Sequence, residues 1–149
     1  MSVYYCPECG SVYDGMFFKD FNRYGAPCPN LNCVGYCFEV DELMLEPIKI
    51  LNEKGYLTKF CCSGHSYLDS CGGYIMFEDF IGDVDKIFKD LPEGWRFDGK
   101  DTIRYDLGRN MNGPERLLDI FKHIEALMIW VEELECYDEE DYIADESEC

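Results

Sequence analysis

Apolar residues recur at helical spacing in the middle of the chain. Met44, Ile48 and Leu51 lie three or four positions apart, so they share one face of a helix between residues 43 and 54. Gly55 follows directly, and glycine commonly ends helices because it adopts a left-handed backbone conformation without strain. The pattern predicts a first helix that ends at Gly55.

A longer helix is predicted towards the end of the chain. Pro114 suits the first turn of a helix, where an N–H would have no partner within the helix. The residues after it form one apolar stripe with helical spacing: Leu117, Phe121, Ile124, Met128 and Val131. We expect a helix of about 20 residues whose stripe faces the core.

Strands and turns are predicted between these two helices. Four stretches are rich in β-branched and aromatic residues, and we predict them to be strands: 56–61, 73–77, 95–97 and 102–107. The last two flank residues 98–101, whose Asp-Gly-Lys-Asp sequence is typical of a hairpin turn. A short helix is predicted at 83–91, before Pro92. The whole pattern indicates an α+β fold, with helices packed on a small, mainly antiparallel sheet and a long C-terminal helix.

The first 40 residues have few aliphatic side chains and carry two cysteine pairs instead. Two residues separate Cys6 from Cys9, four separate Cys28 from Cys33, and 18 lie between the pairs. Four thiolates at such spacing bind Zn²⁺ tetrahedrally and leave no open position, so we predict a zinc ribbon with one structural zinc ion. Cys37 is an alternative fourth ligand in place of Cys33. Buried free cysteines are the alternative to a metal site.

The net charge of the chain indicates which class of partner it can bind. Lys and Arg number 13 and Asp and Glu 31 among 149 residues, which gives a formal net charge of −18. The basic residues are scattered singly, so we expect a basic protein partner and no direct binding of nucleic acid. No stretch has the roughly 20 apolar residues that a membrane span needs, and residues 1–6 lack signal-peptide features. We expect a cytoplasmic protein in which Cys136 and Cys149 are free thiols.

Changes in composition divide the chain into three parts. We predict a zinc ribbon at residues 1–40, an α+β domain at 41–134 and an acidic tail at 135–149. The acidic residues near this last boundary are expected to bind the partner: Glu132, Glu133, Glu135, Asp138, Glu139, Glu140 and Asp141. Such a tail approaches the charge density of duplex DNA only when it is helical or folded back, and the alternative is a solvating tail.

A second group of reactive side chains lies in the loop after the predicted strand 56–61: Cys61, Cys62, Ser63, Gly64, His65 and Cys71. A cysteine thiolate activated by His65 would be a nucleophile. Backbone N–H groups around Ser63 and Gly64 would bind a small anion or a nucleotide. A second zinc ion held by the cysteines and His65 is a third interpretation. The alternative to all three is a tight turn with buried thiols.

One segment of the chain supports a resemblance. The combination of Lys54-Gly55-Tyr56-x-Thr58 with Cys61-Cys62-Ser63-Gly64-His65, preceded by the cysteine pairs and followed by Tyr74–Phe77, occurs in the first half of the sequence. In these features the chain resembles a group of small uncharacterised zinc-ribbon proteins of Firmicutes and their phages. The resemblance implies a bacterial or phage origin.

Charge and resemblance together lead to one functional hypothesis. We expect a zinc-binding, acidic interaction protein rather than an enzyme, which binds a basic, nucleic-acid-handling host protein. A DNA mimic or anti-defence factor that blocks the nucleic-acid channel of a nuclease such as a CRISPR effector fits this hypothesis, because opposite charges accelerate association. The alternative is an enzyme or nucleotide-binding protein that uses the loop at Cys61–His65.

Overall fold

A computed structural model of the chain describes residues 2–14, 26–64, 72–79, 82–108 and 113–137. Within these ranges the strands are β1 (Ser2–Tyr5), β2 (Val12–Asp14), β3 (Ala26–Pro27), β4 (Tyr36–Asp41), β5 (Thr58–Cys62), β6 (Tyr74–Phe77), β7 (Arg96–Phe97) and β8 (Thr102–Arg104). The α-helices are α1 (Leu45–Glu53), α2 (Val84–Ile87) and α3 (Gly113–Glu133), and a single 3₁₀ turn (Glu42–Met44) leads into α1.

The described strands form two antiparallel sheets of four strands each. The first has the order β2-β1-β4-β3 and the second the order β5-β6-β8-β7. In the first sheet Tyr5 lies opposite Phe38, and in the second Ile75 lies between Cys61 and Ile103. The predicted α+β class, with antiparallel strands and a long C-terminal helix, is confirmed.

The predicted hairpin is formed by β7 and β8. Its register places Arg96 directly opposite Arg104, and like charges in that position destabilise a strand pair. Each guanidinium has its own carboxylate, because Arg96 Nε lies 2.8 Å from Asp106 Oδ2 and Arg104 Nε lies 2.6 Å from Asp98 Oδ2. The two aspartates therefore offset the repulsion between the opposed arginines in this register.

One large apolar core lies between the second sheet and the helices. Its fully or nearly fully buried members come from both sheets and all three helices: Tyr5, Val40, Met44, Ile48, Leu51, Tyr56, Cys61, Ile75, Phe77, Val84, Phe88, Trp95, Ile103, Tyr105, Leu127, Trp130 and Val131. Helix α1 buries Ile48 and Leu51 as predicted and ends before Gly55, whose φ is 95°. Because Tyr5 and Val40 belong to the first sheet, this core also joins the two sheets.

Helix α3 faces the core with a stripe that agrees with the predicted one in part. Val131 is buried, and Ile124 and Met128 pack against the core as predicted. Its buried residues are Arg116, Ile120, Leu127, Trp130 and Val131. Leu117 and Phe121 are 41% and 45% exposed, so the prediction that they face the core is wrong. Apolar residues occur on more than one side of this helix, so periodicity alone does not orient it. Buried Arg116, whose Nη1 donates to Gly108 O at 2.8 Å, helps to decide the orientation.

The second helix is shorter than the predicted 83–91. It ends at Ile87, because Phe88 has extended backbone dihedrals of −95° and 122°. This conformation places the Phe88 ring in the core, where it meets Trp130 edge-on with 4.9 Å between ring centroids. Burial of an aromatic ring thus outweighs continuation of a short helix.

Lys54 joins the end of α1 to the end of α3. Its Nζ donates to the carbonyl oxygens of Val131, Glu132 and Leu134 at 2.8, 3.1 and 2.6 Å. The last carbonyls of a helix lack partners within the helix and carry partial negative charge, so a lysine ammonium stabilises them. The next residues are held as well, since Tyr137 N donates to Lys54 O at 2.7 Å.

Cys136, in this same segment, is disulfide-bonded. The expectation of a free thiol at this position is wrong, because the spacing of cysteines along a sequence does not show which of them form disulfides. Cys149 lies outside the described residues. Among the helices that the structure describes, none is long and apolar enough to cross a membrane.

Candidate metal centre

The first cysteine pair lies in a tight turn after β1. Gly10 N donates to Cys6 O at 2.8 Å, and Cys6 N donates to Ser11 O at 3.0 Å. Gly10 has a φ of 78°, a conformation that glycine adopts without the strain a side chain brings. This turn places Cys6 and Cys9 at the same end of the first sheet.

The second cysteine pair lies in a longer turn between β3 and β4. Cys33 N donates to Asn30 O at 3.0 Å, and Cys28 N donates to Gly35 O at 2.9 Å. Gly35 is needed for the two turns to approach each other. A Cβ atom at this position would lie 2.6 Å from Glu8 Cγ and 3.2 Å from Cys6 Sγ.

The two turns bring four sulfur atoms together. The Sγ atoms of Cys6, Cys9, Cys28 and Cys33 all lie within 4.8 Å of one another. Cys6 Sγ lies 3.7 Å from Cys33 Sγ, and Cys9 Sγ lies 3.7 Å from Cys28 Sγ. Zn–S bonds of about 2.3 Å in tetrahedral geometry require S···S distances of about 3.8 Å. This group of four cysteines can therefore hold one metal ion.

Hydrogen bonds favour the thiolate form at two of the four cysteines. The hydrogen bond between Cys9 Sγ and Ser11 Oγ, at 3.2 Å, and then the bond from the Ser11 backbone N–H lower the pKa of Cys9 to about 6. Burial by itself would raise the pKa of Cys28, but bonds from the Asn30 N–H and the Tyr13 hydroxyl lower it below its usual value. Both sulfurs thus have donors that would also support a bound thiolate.

The pKa values of the other two thiols, Cys6 and Cys33, are raised. Burial raises the pKa of Cys6 to about 12, although N–H groups of Cys9 and Glu8 act in the opposite direction. The Gly35 N–H lowers the pKa of Cys33, but burial and the thiols of Cys9 and Cys28 raise it overall. Four thiolates in contact would repel one another, so their simultaneous ionisation costs free energy. A divalent cation bound between them would offset this repulsion.

Cys37 lies beside this group and is not part of it. Its side chain is fully buried in the small core of the first sheet, next to Tyr4, Cys6 and Ala26. Burial raises the pKa of this thiol strongly. Of the two alternatives for the fourth position, the structure places Cys33 with the other three sulfurs.

Sequence reasoning missed the residues that support the sulfurs. Ser11 and Gly35 each lie two positions after a cysteine of the group, Cys9 and Cys33 respectively, and each donates its backbone N–H to that sulfur. A small residue two positions after a metal-ligating cysteine was the available signal.

The second predicted group forms a closed turn in its described part. Cys61 and Ser63 are buried, and Ser63 Oγ donates to Asp41 Oδ2 at 2.6 Å. The Ser63 carbonyl accepts a hydrogen bond from the Tyr105 hydroxyl. Gly64 N lies 3.4 Å from Cys62 Sγ. The polar groups of this turn therefore join the first sheet to the second, while His65 and Cys71 lie outside the described residues.

Tyr105 and His123 are packed against each other near this turn. Their rings are stacked with 4.2 Å between centroids and 7° between planes. His123 Nδ1 lies 2.8 Å from Asp119 O, and burial raises the pKa of Tyr105. A Cβ at Gly94 would lie 2.7 Å from His123 Nε2. Tyr105 is fully buried, and only 15% of the His123 side chain remains exposed.

Three of the acidic residues predicted to bind the partner lie at the end of α3 or directly after it, where hydrogen bonds hold the backbone. Glu132 and Glu133 end α3, Glu135 follows, and all three side chains are exposed. Tyr56 Oη donates to Glu135 O at 2.7 Å. The rest of this set, Asp138–Asp141, lies outside the described residues.

Comparisons of this chain with protein-family models, with curated proteins and with solved structures found no match.

Proposed function

We propose that this protein is a zinc-stabilised, acidic interaction protein of a phage or other mobile element, and that it binds a basic, nucleic-acid-handling host protein. The observation that carries the metal part is the convergence of four cysteine sulfurs within 4.8 Å. The zinc ion has a structural role in this proposal, because four thiolates leave no coordination position for water or substrate.

Zinc is favoured over other metals by the ligands and by the turns. Tetrahedral sites with four thiolates take zinc or iron, whereas calcium and magnesium require oxygen ligands. Two short turns that each contribute two cysteines are typical of structural zinc sites. The hydrogen bonds from Ser11 and Gly35 to sulfur also suit a structural site, since they orient the thiolates and spread their charge.

Elemental analysis of the purified protein tests the metal directly. We expect about one zinc ion per chain, no iron, and loss of the zinc in the Cys9→Ser/Cys28→Ser variant. Cys37→Ser is the matched control, because it changes a neighbouring cysteine outside the group of four. A metal-free or iron-containing protein, or equal loss of zinc in the control, contradicts the assignment.

The partner is inferred from charge and from the fixed acids after α3. The net charge of −18 attracts basic surfaces and repels free nucleic acid. Lys54 and Tyr56 hold the backbone around Glu132 and Glu135, so these carboxylates are presented without the entropy cost of ordering a free chain. In this proposal they bind the part of the partner that otherwise contacts DNA.

A competition experiment tests the partner. Basic DNA-binding proteins of a bacterial host, CRISPR effector nucleases among them, are bound to labelled duplex DNA and titrated with this protein at several salt concentrations. We expect displacement of the DNA by the full chain, with an affinity that falls as salt rises. Displacement of no tested protein, or an affinity independent of salt, contradicts the proposal.

Two charge variants separate the role of these acids from the role of net charge. The triple variant Glu132→Gln/Glu133→Gln/Glu135→Gln removes three exposed carboxylates at the end of α3. The triple variant Glu46→Gln/Asp85→Asn/Glu93→Gln removes three exposed carboxylates elsewhere. We expect the first to weaken displacement more, and equal effects would show that the acids after α3 have no special role.

A further inference from the structure

A cleft lies between β4 of the first sheet and β5 of the second. At one end, β4 and β5 are connected by the hydrogen bond between Ser63 and Asp41. Away from that bond, residues 36–38 of β4 and residues 58–60 of β5 line a cavity of about 450 Å³. Cavities of roughly 300 to 1,000 Å³ are typical of sites for small molecules.

Three aromatic residues, Tyr36, Phe38 and Phe60, are among those that line this cleft. Tyr36 and Phe38 line it from the first sheet, and Phe60 and Leu57 line it from the second. The Tyr36 side chain is 65% exposed, although aromatic rings are usually covered in folded proteins. Aromatic residues from both sheets thus line one cavity, and such a lining suits a flat apolar group.

Two opposite charges line the same cavity. Lys59 lies on β5, and Glu78 directly follows β6. In the part of the chain that the structure describes, neither side chain forms an ion pair or a hydrogen bond. A cationic and an anionic group are therefore both available to a ligand in this cleft.

A β-bulge places the lysine in the cleft. Thr58 lies opposite Phe77 and Phe60 lies opposite Met76, so Lys59 is an extra residue without a partner across the strands. In a regular strand neighbouring side chains point to opposite faces. The bulge breaks this alternation, and Lys59 and Phe60 line the same cavity. Bulges are common next to binding sites because they redirect a side chain in this way.

We propose that the cleft binds a free aromatic amino acid, or a small molecule with the same three groups. The aromatic ring lies between Tyr36, Phe38 and Phe60. The carboxylate pairs with the Lys59 ammonium, and the ligand's ammonium pairs with the Glu78 carboxylate. This arrangement uses both charges of the cleft together with its aromatic walls.

Other classes of ligand use these residues less well. A purely apolar molecule would leave both charges without partners and displace water from them, which is unfavourable. A nucleotide would bring a phosphate towards a protein with a net charge of −18. An amino acid has no net charge at neutral pH, so the field of the whole protein does not oppose its approach.

Three related compounds test the proposal by isothermal titration calorimetry on the full chain with its metal. L-Tryptophan carries the ring and both charges, tryptamine lacks the carboxylate, and 3-indolepropionate lacks the ammonium. We expect tryptophan to bind most tightly. Each missing charge should weaken binding about tenfold or more, since a hydrogen bond to a charged group contributes at least that factor.

Variants of the two charged residues should reproduce this pattern one charge at a time. Glu78→Gln should weaken tryptophan and tryptamine about tenfold and leave 3-indolepropionate unchanged. Lys59→Gln should weaken tryptophan and 3-indolepropionate and leave tryptamine unchanged. Lys89→Gln and Glu93→Gln are the matched controls, because both residues are exposed and neither lines the cleft.

Tyr36→Ala tests the aromatic wall with little risk to folding, because its side chain is largely exposed. We expect all three compounds to lose affinity in this variant, with an unchanged thermal unfolding midpoint. The proposal is overturned if none of the compounds binds the folded wild-type protein at millimolar concentration. It is also overturned if the two charge variants affect all three compounds equally.

Discussion

The two sheets of this protein differ in what holds them together. In the described part of the first region, the small core has four buried members, Tyr4, Cys6, Ala26 and Cys37, and two of them are cysteines. The second sheet and the helices share the large apolar core, which is rich in isoleucine, leucine and aromatic residues. Among the described residues, the second region therefore buries far more apolar side chains than the first.

The difference indicates what each region depends on. In a region with a small apolar core, a metal ion held by the four cysteines would be a further source of stability. Tyr5 and Val40 nevertheless belong to the large core, so one face of the first sheet packs against the second region. We expect loss of metal to unfold the end of the first sheet that carries the cysteines and to spare the second region.

Metal removal should have the largest effect. Structural zinc contributes about 10 to 16 kcal/mol to the folding of small zinc domains, so a strong chelator should abolish protection of the first sheet. Hydrogen exchange measured by mass spectrometry should show fast exchange in residues 2–14 and 26–37, with α3 still protected.

The Cys9→Ser/Cys28→Ser variant should behave like the chelated protein, and Cys37→Ser should keep its zinc-dependent protection. If the first sheet exchanges slowly without metal, the contrast between the two regions disappears. If α3 loses protection to the same extent, the two regions form one cooperative unit.

A core substitution in α3 should act through the large apolar core and leave the metal centre occupied. Leu127 is fully buried, so Leu127→Ala should lower the free energy of unfolding by about 2 to 5 kcal/mol. Leu118 is 70% exposed, and Leu118→Ala should change it by less than about 0.5 kcal/mol. Urea unfolding followed by the far-UV signal of the helices measures both, with zinc content as the control. Equal effects of the two substitutions would contradict the assignment of the Leu127 face of α3 to the core.

The smallest expected effect concerns the residue that joins the two regions. Burial, followed by the charges of Glu53 and nearby cysteines, raises the pKa of Tyr5 to about 12. The unfolded value is about 10, so the folded state keeps the phenol proton longer than the unfolded state does. This contribution to stability is complete below pH 10 and is lost as the pH rises towards 12.

Tyr5→Phe isolates this contribution. Between pH 9 and pH 11 the wild type should lose about 1 kcal/mol more than the variant in urea unfolding. Tyr105, whose pKa is also raised by burial, contributes to the slope that remains in the variant. Identical slopes in both proteins would mean that Tyr5 ionises as it does in the unfolded chain.

Local signals in the sequence were sufficient for much of the fold. The end of α1 at Gly55, the hairpin around Asp98–Asp101 and the length of α3 all follow from neighbouring residues. The four cysteines of the candidate metal centre were also found by spacing, because each pair is brought together by its own turn. Such features depend on interactions between residues that are close along the chain.

Other features depend on contacts between distant residues. The orientation of α3 could not be predicted, because Leu117, Phe121 and Leu127 are equally apolar and only packing decides which of them is covered. The link from Lys54 to the end of α3 and the cleft at Lys59 were missed for a related reason. Each requires two elements that lie far apart in the sequence.

By itself, the sequence determined the element types, the cysteine pairs and the net charge, since these follow from residue identity and short-range spacing. The tertiary structure alone decided that the two cysteine turns meet, that Cys33 rather than Cys37 joins the group, and which face of α3 is buried. The physical reason is that burial and convergence are properties of packed surfaces, and a surface exists only after the chain has folded.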